Sequence, residues 1–294
     1  MYNHEIQSIC SAVQLKYVAS LLEQHFYCPY VIIKGEVLSV QAYGKPGRRH
    51  LGDVDVLVQK ENIGKLTALL IENGFETNVL TREQEIITKA FSHQVTPYRK
   101  LVSGIAVNID INYDFFWGEW DKARPSIGDI LSRRQYLTLY DQFVPVLTIE
   151  DAFIQLCLHH YKDMNSLFHL AYVNPITSEK FQDIYYFWLN NRNCLSVEYI
   201  SNWSKKYQIG LYIDYILSQT AYIMKDKSIA EWGKKFYQGY NYLLNYYGLD
   251  SKRRKKWDIP LDVRINNPTL PEYIRKSLSP EELEKLKKEH AIFA

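Results

Sequence analysis

The run Asp53-Val54-Asp55-Val56-Leu57-Val58 limits the fold of this chain more than any other stretch. Its apolar, β-branched character predicts a buried strand, and alternate residues of a strand point to opposite faces. Asp53 and Asp55 therefore share one face, while Val54, Val56 and Val58 take the other. Two anions side by side at the start of a buried strand are costly unless a cation stands between them. Hard carboxylate oxygens suit Mg²⁺. The plainer reading has Asp53 capping a turn and Asp55 on a solvated edge. A second strand-like run, Ile105 to Asp114, carries Asp110 at its centre. A third carboxylate on a neighbouring strand would complete the donor set of a two-metal phosphoryl-transfer site.

Around these runs the pattern alternates. Ile6, Ile9, Val13, Tyr17 and Leu21 give helical spacing over about residues 4–24, ended by Pro29. Tyr30-Val31-Ile32-Ile33 is a short apolar strand with Lys34-Gly35 at its exit, and Glu36 to Tyr43 reads as a helix. A turn-rich basic loop, Gly44 to Arg49, leads into the aspartate strand. Ile63 to Asn73 is an amphipathic helix with Gly74 as its C-terminal stop. Phe91 to Leu101 and Ile105 to Tyr113 read as strands joined by a turn at Ser103-Gly104.

The texture changes near residue 145. Thr148 with Asp151 resembles a capping box. Long helical, aromatic segments follow, among them 181–189, Ile209 to Met224 and Trp232 to Tyr247, and a polar helix runs from Ser279 to about His290. The expected fold class is α+β: a small mixed β-sheet domain over residues 1–145, then a mainly α-helical domain over 146–294.

With 294 residues, 47% hydrophobic and 23% charged, the chain is expected to bury a core rather than remain disordered. A net charge of +2 gives no global reason to invoke nucleic acid. Cys10, Cys28, Cys157 and Cys194 lack the paired spacing of a zinc or disulfide framework. Met-Tyr-Asn-His-Glu-Ile lacks a basic region followed by an apolar block, so no secretory signal is expected, and no apolar run approaches the ~20 residues of a membrane span. A cytoplasmic protein is the expectation. The 24 tyrosines can line a groove for sugars or bases, or pack a helical core with their hydroxyls at its rim.

Lys34-Gly35, Arg49, Asp53-Val54-Asp55-Val56-Leu57-Val58 and Asp110, in that order, resemble the signature of the DNA-polymerase-β-like nucleotidyltransferase superfamily. The closest likeness is to its group of uncharacterised bacterial nucleotidyltransferases. The resemblance covers about the first half of the chain well and continues weakly beyond it. It implies that Asp53 and Asp55 ligate two Mg²⁺ ions, and that Asp110 is the third metal ligand and candidate general base. It also implies that Gly35 and Gly52 bring backbone close to the nucleotide, and that Lys34 and Arg49 contact its phosphates. The broader superfamily has Gly-Ser where this chain has Gly35-Glu36. Within Leu156 to Asp163, His159 and Lys162 resemble a helix motif of the closer group and share a helix face, from which they could reach the nucleotide or the acceptor. The bland alternatives are a core His160, a hydrogen-bonded interdomain His159, an Arg49 paired with Asp53, and an Asp114 on a surface turn.

The activity expected is Mg²⁺-dependent transfer of a nucleoside monophosphate from an NTP, such as ATP, to a hydroxyl or phosphate of a small-molecule, sugar or peptide acceptor. The alternative is a nucleotidyltransferase fold that binds nucleotide, or neutralises a partner in antitoxin fashion, without turnover. An RNA acceptor is possible and not favoured; it would require a continuous basic surface reaching Lys252-Arg253-Arg254-Lys255-Lys256. No membrane partner is expected, and the oligomeric state is not legible.

Overall fold

The computed structural model describes residues 2–49, 52–84, 93–173 and 175–293. The protein is α+β, with a small mixed sheet in its N-terminal part followed by a helical region. Helix α1 (Tyr2–His25) precedes β1 (Tyr30–Ile33), α2 (Gly35–Tyr43), β2 (Val54–Val58) and α3 (Ile63–Glu72). Strands β3 (Glu76–Thr77), β4 (Tyr98–Val102) and β5 (Ile105–Asn112) complete a five-stranded sheet of order β1-β2-β5-β4-β3. Only the central pair β2–β5 is parallel; β1–β2, β5–β4 and β4–β3 are antiparallel.

Local chemistry sets these boundaries. Gly74 ends α3 as expected, in a left-handed conformation (φ 75°). Its N–H donates to Ile71 O, and the N–H of Phe75 donates to Leu70 O, which together form a Schellman stop. Ser103 and Gly104 both have positive φ, the conformation that joins β4 to β5 in a two-residue hairpin. The strand expected over 91–101 is shorter: Phe91 and Ser92 lie outside the described residues, and pairing in β4 begins at Tyr98.

Beyond the sheet, α4 (Ile127–Ser132) leads into a hairpin of β6 (Gln135–Leu139) and β7 (Gln142–Val146). This hairpin is additional to the expected elements. Its signal was the alternation through Tyr136, Leu137 and Thr138 around Tyr140-Asp141, both at positive φ.

The helical region comprises α5 (Ile149–Asn165), α6 (Leu167–Tyr172), α7 (Ser178–Asn191), α8 (Val197–Lys206), α9 (Gly210–Met224) and α10 (Lys227–Gly233). A short strand pair follows, β8 (Tyr246–Tyr247) with β9 (Lys255–Lys256), then α11 (Leu261–Arg264), α12 (Leu270–Ser277) and α13 (Pro280–Phe293). The helix expected over Trp232 to Tyr247 instead ends at Gly233, and the chain passes through a short 3₁₀ turn at Tyr242–Asn245 into β8. Thr148 caps α5 by accepting from the Asp151 N–H at 3.2 Å. The Asp151 carboxylate does not close the expected box; it holds Arg133 and Tyr199 instead. Among the described residues no helix is long and apolar enough to cross a membrane.

Two apolar clusters divide the faces of the sheet. Val54, Val56 and Val58 of β2, with Val107, Ile109 and Ile111 of β5, pack under α1 and α3 against Leu15, Leu22, Leu66 and Leu70. The opposite face sends Val31, Ile33 and Leu57 into the helical core with Phe153, Leu156 and Phe187. Asp53 and Asp55 alternate with the valines, so they share the side of Leu57, and the acidic face looks toward the helices.

Candidate active site

The parallel pairing of β2 with β5 sets Asp55 opposite Asp110 in register. Side chains opposite one another in a ladder share a face, so Asp53, Asp55 and Asp110 converge at one end of the two central strands. Asp55 and Asp110 are buried and Asp53 is half-buried. The Asp53 and Asp110 carboxyls lie close enough to act on one another. Burial, together with the charges of Asp53 and Asp55, pushes Asp110 up to about 7. Burial and Asp55 likewise raise Asp53.

Lys34 supplies the countercharge. Its Nζ lies 2.6 Å from Asp55 Oδ1, and the Asn112 amide donates to the same oxygen at 3.0 Å. Burial would lower the Lys34 ammonium, but Asp55, by charge and hydrogen bond, and then Asp53 and Asp163 outweigh it and raise its pKa. Lys34 has φ 60° and ψ −152°, a region that side chains seldom occupy, and Gly35 follows at φ 44°. Such backbone strain persists only where the surroundings enforce it, and it clusters at functional sites. The strained pair turns the chain from β1 directly into α2 and leaves the ammonium over the acidic face.

A basic wall stands opposite. Helix α5 carries His159, Lys162 and Asp163; α6 adds His169 and α7 adds Lys180. The Asp163 carboxylate is shared among His159 Nε2 at 3.3 Å, Lys162 Nζ at 3.3 Å, His169 Nε2 at 3.8 Å and the Lys180 ammonium. Burial would raise Asp163, but His159, Lys180, Lys162 and His169 hold it well below the usual carboxylate range. His159 is pushed well down by burial, against the pull of Asp163, so it is a neutral donor or acceptor. His93, before β4, is driven down by burial and by Lys162 and Lys34. Lys34 feels both Asp55 and Asp163, so it stands between the two walls.

His159, His160 and Asp163 have ligand atoms within 4.8 Å of one another. The ammoniums of Lys162 and Lys180 already occupy Asp163, so a divalent cation there would meet like charges. The triad has the opposite character. Its three hard oxygen donors share one sheet face with Lys34 as their nearby cation, although their ligand atoms do not all lie within 4.8 Å of one another, and the Asn112 Oδ1 beside them is buried without a partner. That donor set fits Mg²⁺.

The remaining expected residues are placed as follows. Gly52 O accepts from Asn108 Nδ2 at 2.9 Å, which holds the approach to Asp53; His50 and Leu51 lie outside the described residues. Arg49 pairs with neither Asp53 nor open cleft. Its guanidinium binds the fully buried Asp183 of α7, which also accepts from Tyr43 Oη at 2.7 Å and lies 3.7 Å from His160 Nε2. Glu36, standing where the superfamily has serine, turns inward and accepts from Gly47 N at 2.7 Å, latching the 44–49 loop. Asp114 pairs with Arg124 at 2.6 Å and caps Phe116 N at 3.0 Å, away from the triad. In the basic run, Arg254 reaches Tyr242 Oη at 2.7 Å and Lys255 reaches Glu282 at 2.9 Å. Lys180, His169 and Asp183 carry no signal in the sequence: they come from α6 and α7, and no short spacing links them to the aspartates.

A family model described as uncharacterised nucleotidyltransferase matches residues 3–224. The chain belongs to that family. Its matched span includes the triad, Lys34 and every member of the basic wall. No curated protein matches the chain. Among solved structures, an antigenic nucleotidyltransferase-like protein from Paracoccidioides brasiliensis is similar at 16% identity, covering 79% of this chain and 99% of that one, with a TM-score of 0.44.

Proposed function

We propose that the cleft transfers a nucleoside monophosphate from an NTP to an acceptor hydroxyl or phosphate, with Mg²⁺ held by Asp53, Asp55 and Asp110. The observation that carries this reading is Asp55 in register with Asp110 across β2 and β5, Asp53 just before β2 on the same face, and a lysine-rich wall opposite. When bound, the metal supplies charge neutralisation on the phosphoryl oxygens and alignment of nucleophile and leaving group. Lys34, Lys162 and Lys180 bind and orient the triphosphate, and a phosphate oxygen takes the place that the Asp163 carboxylate now satisfies alone. His159, neutral, hydrogen-bonds to the nucleotide or acceptor without adding charge. Asp110 accepts the proton of the attacking hydroxyl. The acceptor oxygen forms a bond to the α-phosphorus, the bond to pyrophosphate breaks, and pyrophosphate leaves toward the lysines.

Arg49 is committed to Asp183, so its role in this reading is to fix the 44–49 loop to α7. A nucleotide-binding protein without turnover is the second reading. It draws on Lys34, which already sets a cation 2.6 Å from Asp55. Incubation with each α-labelled NTP, Mg²⁺ and a cell extract tests the first. A labelled product from wild type that disappears with Asp53→Asn supports transfer. Nucleotide binding without any product supports the second reading and ends the first.

A further inference from the structure

A pocket whose lining includes no residue of the triad or the basic wall lies between α9 and the segment entering α11. It has a volume of about 380 Å³ and is lined by Ser218, Gln219, Tyr222, Leu244, Pro260, Leu261, Asp262 and Arg264. That is ample room for a small organic ligand. Arg264 is 4% exposed, yet its Nε and Nη1 are buried without any hydrogen-bond partner. Gln219, also 4% exposed, has a buried Nε2 with no well-formed hydrogen bond, its amide lying toward the Tyr215 hydroxyl.

These orphans are unusual in kind. Native proteins satisfy nearly all buried donors, and an unpaired buried charge is the costliest exception. The guanidinium lies over the Trp257 ring at 4.4 Å from its centroid. Stacking uses the face of the guanidinium and leaves its N–H edge for an in-plane acceptor. Asp262 is the one carboxylate lining the pocket; it is exposed, and its charge reaches the Arg264 guanidinium without satisfying its Nε and Nη1. The orphans are all donors, so the ligand they fit is an acceptor with negative charge. The wall of Leu244, Pro260 and Leu261 and the exposed Tyr222 at the rim suit an apolar body attached to that charge.

We infer that this pocket binds a small organic oxyanion, with Arg264 donating to it from an unpartnered N–H and Gln219 donating a further hydrogen bond. The site is built from α9 and α11 and is independent of the carboxylate triad.

Equilibrium dialysis of the full chain against labelled inorganic phosphate and, separately, labelled succinate tests it. Wild type is expected to bind at least one of the two probes, and preference between them separates a phosphoryl from a carboxylate ligand. Arg264→Met should lose one bound anion per chain, or bind it at least tenfold more weakly, whereas Lys180→Gln in the cleft should retain that anion. Gln219→Leu, which keeps the guanidinium, should weaken binding several-fold and serves should Arg264→Met fail to fold. Asp262→Asn should tighten anion binding. Unchanged stoichiometry and affinity in Arg264→Met, or no anion bound by wild type, overturns the inference. So does an Asp262→Asn variant that melts lower with unchanged anion binding, because Asp262 would then be the counterion of Arg264. None of these readouts depends on nucleotide transfer.

Discussion

Lys34 Nζ sits 2.6 Å from Asp55 Oδ1. This contact joins the strained exit of β1 to the first residues of β2, and it is the main charge compensation of the acidic triad. Without a metal ion the ammonium does part of a metal's work: it lowers Asp53, although burial and Asp55 outweigh it there. The same lysine feels Asp163 across the cleft, so ligand binding to either wall changes the field at the other.

Replacing Lys34 with methionine should expose this dependence. Breaking a largely buried pair leaves Asp55 uncompensated, and a loss of about 2–3 kcal/mol is expected in urea unfolding at pH 8. Added Mg²⁺ should restore more stability to Lys34→Met than it adds to wild type. Equal Mg²⁺ responses in the two proteins would show that lysine and metal do not share a site.

Asp110 gives a pH signature. Its carboxyl rises from 3.8 to about 7 in the folded protein, through burial and then the charges of Asp53 and Asp55. The folded state therefore holds this proton more tightly than the unfolded chain. The resulting stability is fully present below about pH 4 and is lost as pH rises toward about 7. Metal-free protein should lose stability across that window, and Asp110→Asn should flatten the slope. Metal affinity runs the other way. A ligand carboxylate must first lose its proton, so Mg²⁺ binding should tighten with pH and level off above about 7. Thermal melts at several pH values, with and without Mg²⁺, check both slopes, and a wild-type slope identical to that of Asp110→Asn would remove Asp110 as their source.

The aspartate geometry was legible because a strand has a period of two. Val54, Val56 and Val58 fixed which face was buried under α1 and α3, and that placed Asp53 and Asp55 on the other. Asp110 alternates with Ile109 and Ile111 by the same rule. The basic wall was only half legible. His159 and Lys162 share one helix turn, but Lys180 and His169 reach Asp163 from two other helices. Tertiary packing, which leaves no periodic trace, decides such a meeting. Arg49 illustrates the limit: its partner Asp183 lies 134 residues away, nearer candidates in sequence notwithstanding. The expected long helix from Trp232 failed for a local reason. Apolar and aromatic spacing continued past Gly233, whereas backbone preference in Tyr237 to Asn241, with its Gly239, did not.

On the basic wall, Lys180→Gln is expected to raise the KM for the NTP about tenfold while changing kcat little. That is the signature of binding shared by ground and transition states. The lysine also partners Asp163, so Asp163→Asn serves as the control. Removing that carboxylate frees the Lys162 and Lys180 ammoniums for phosphate and should lower the KM. Steady-state kinetics on both variants measures this, and a rise in KM for both would mean that Asp163 positions the lysines rather than competing for them.

Asp151 makes the strongest structural prediction. Its carboxylate is fully buried at the first turn of α5, and Arg133 grips it from Nε at 2.8 Å and Nη2 at 3.0 Å. Tyr199 Oη of α8 donates to the same carboxylate at 2.6 Å. Three segments therefore converge on one anion: the residues after α4, the start of α5, and α8. A two-pronged guanidinium contact is strong and directional, and the partner left behind after truncation keeps an unmet charge. Arg133 is about one-third exposed, so water softens that penalty. Asp151→Ala should cost about 3 kcal/mol, and Tyr199→Phe about 1 kcal/mol, in chemical denaturation. Asp151→Asn keeps the shape and loses the charge, and should fall between them. The double variant Asp151→Ala with Tyr199→Phe should be less destabilised than the sum of the two, because both remove one hydrogen bond. Strict additivity would mean that the tyrosine acts through packing alone.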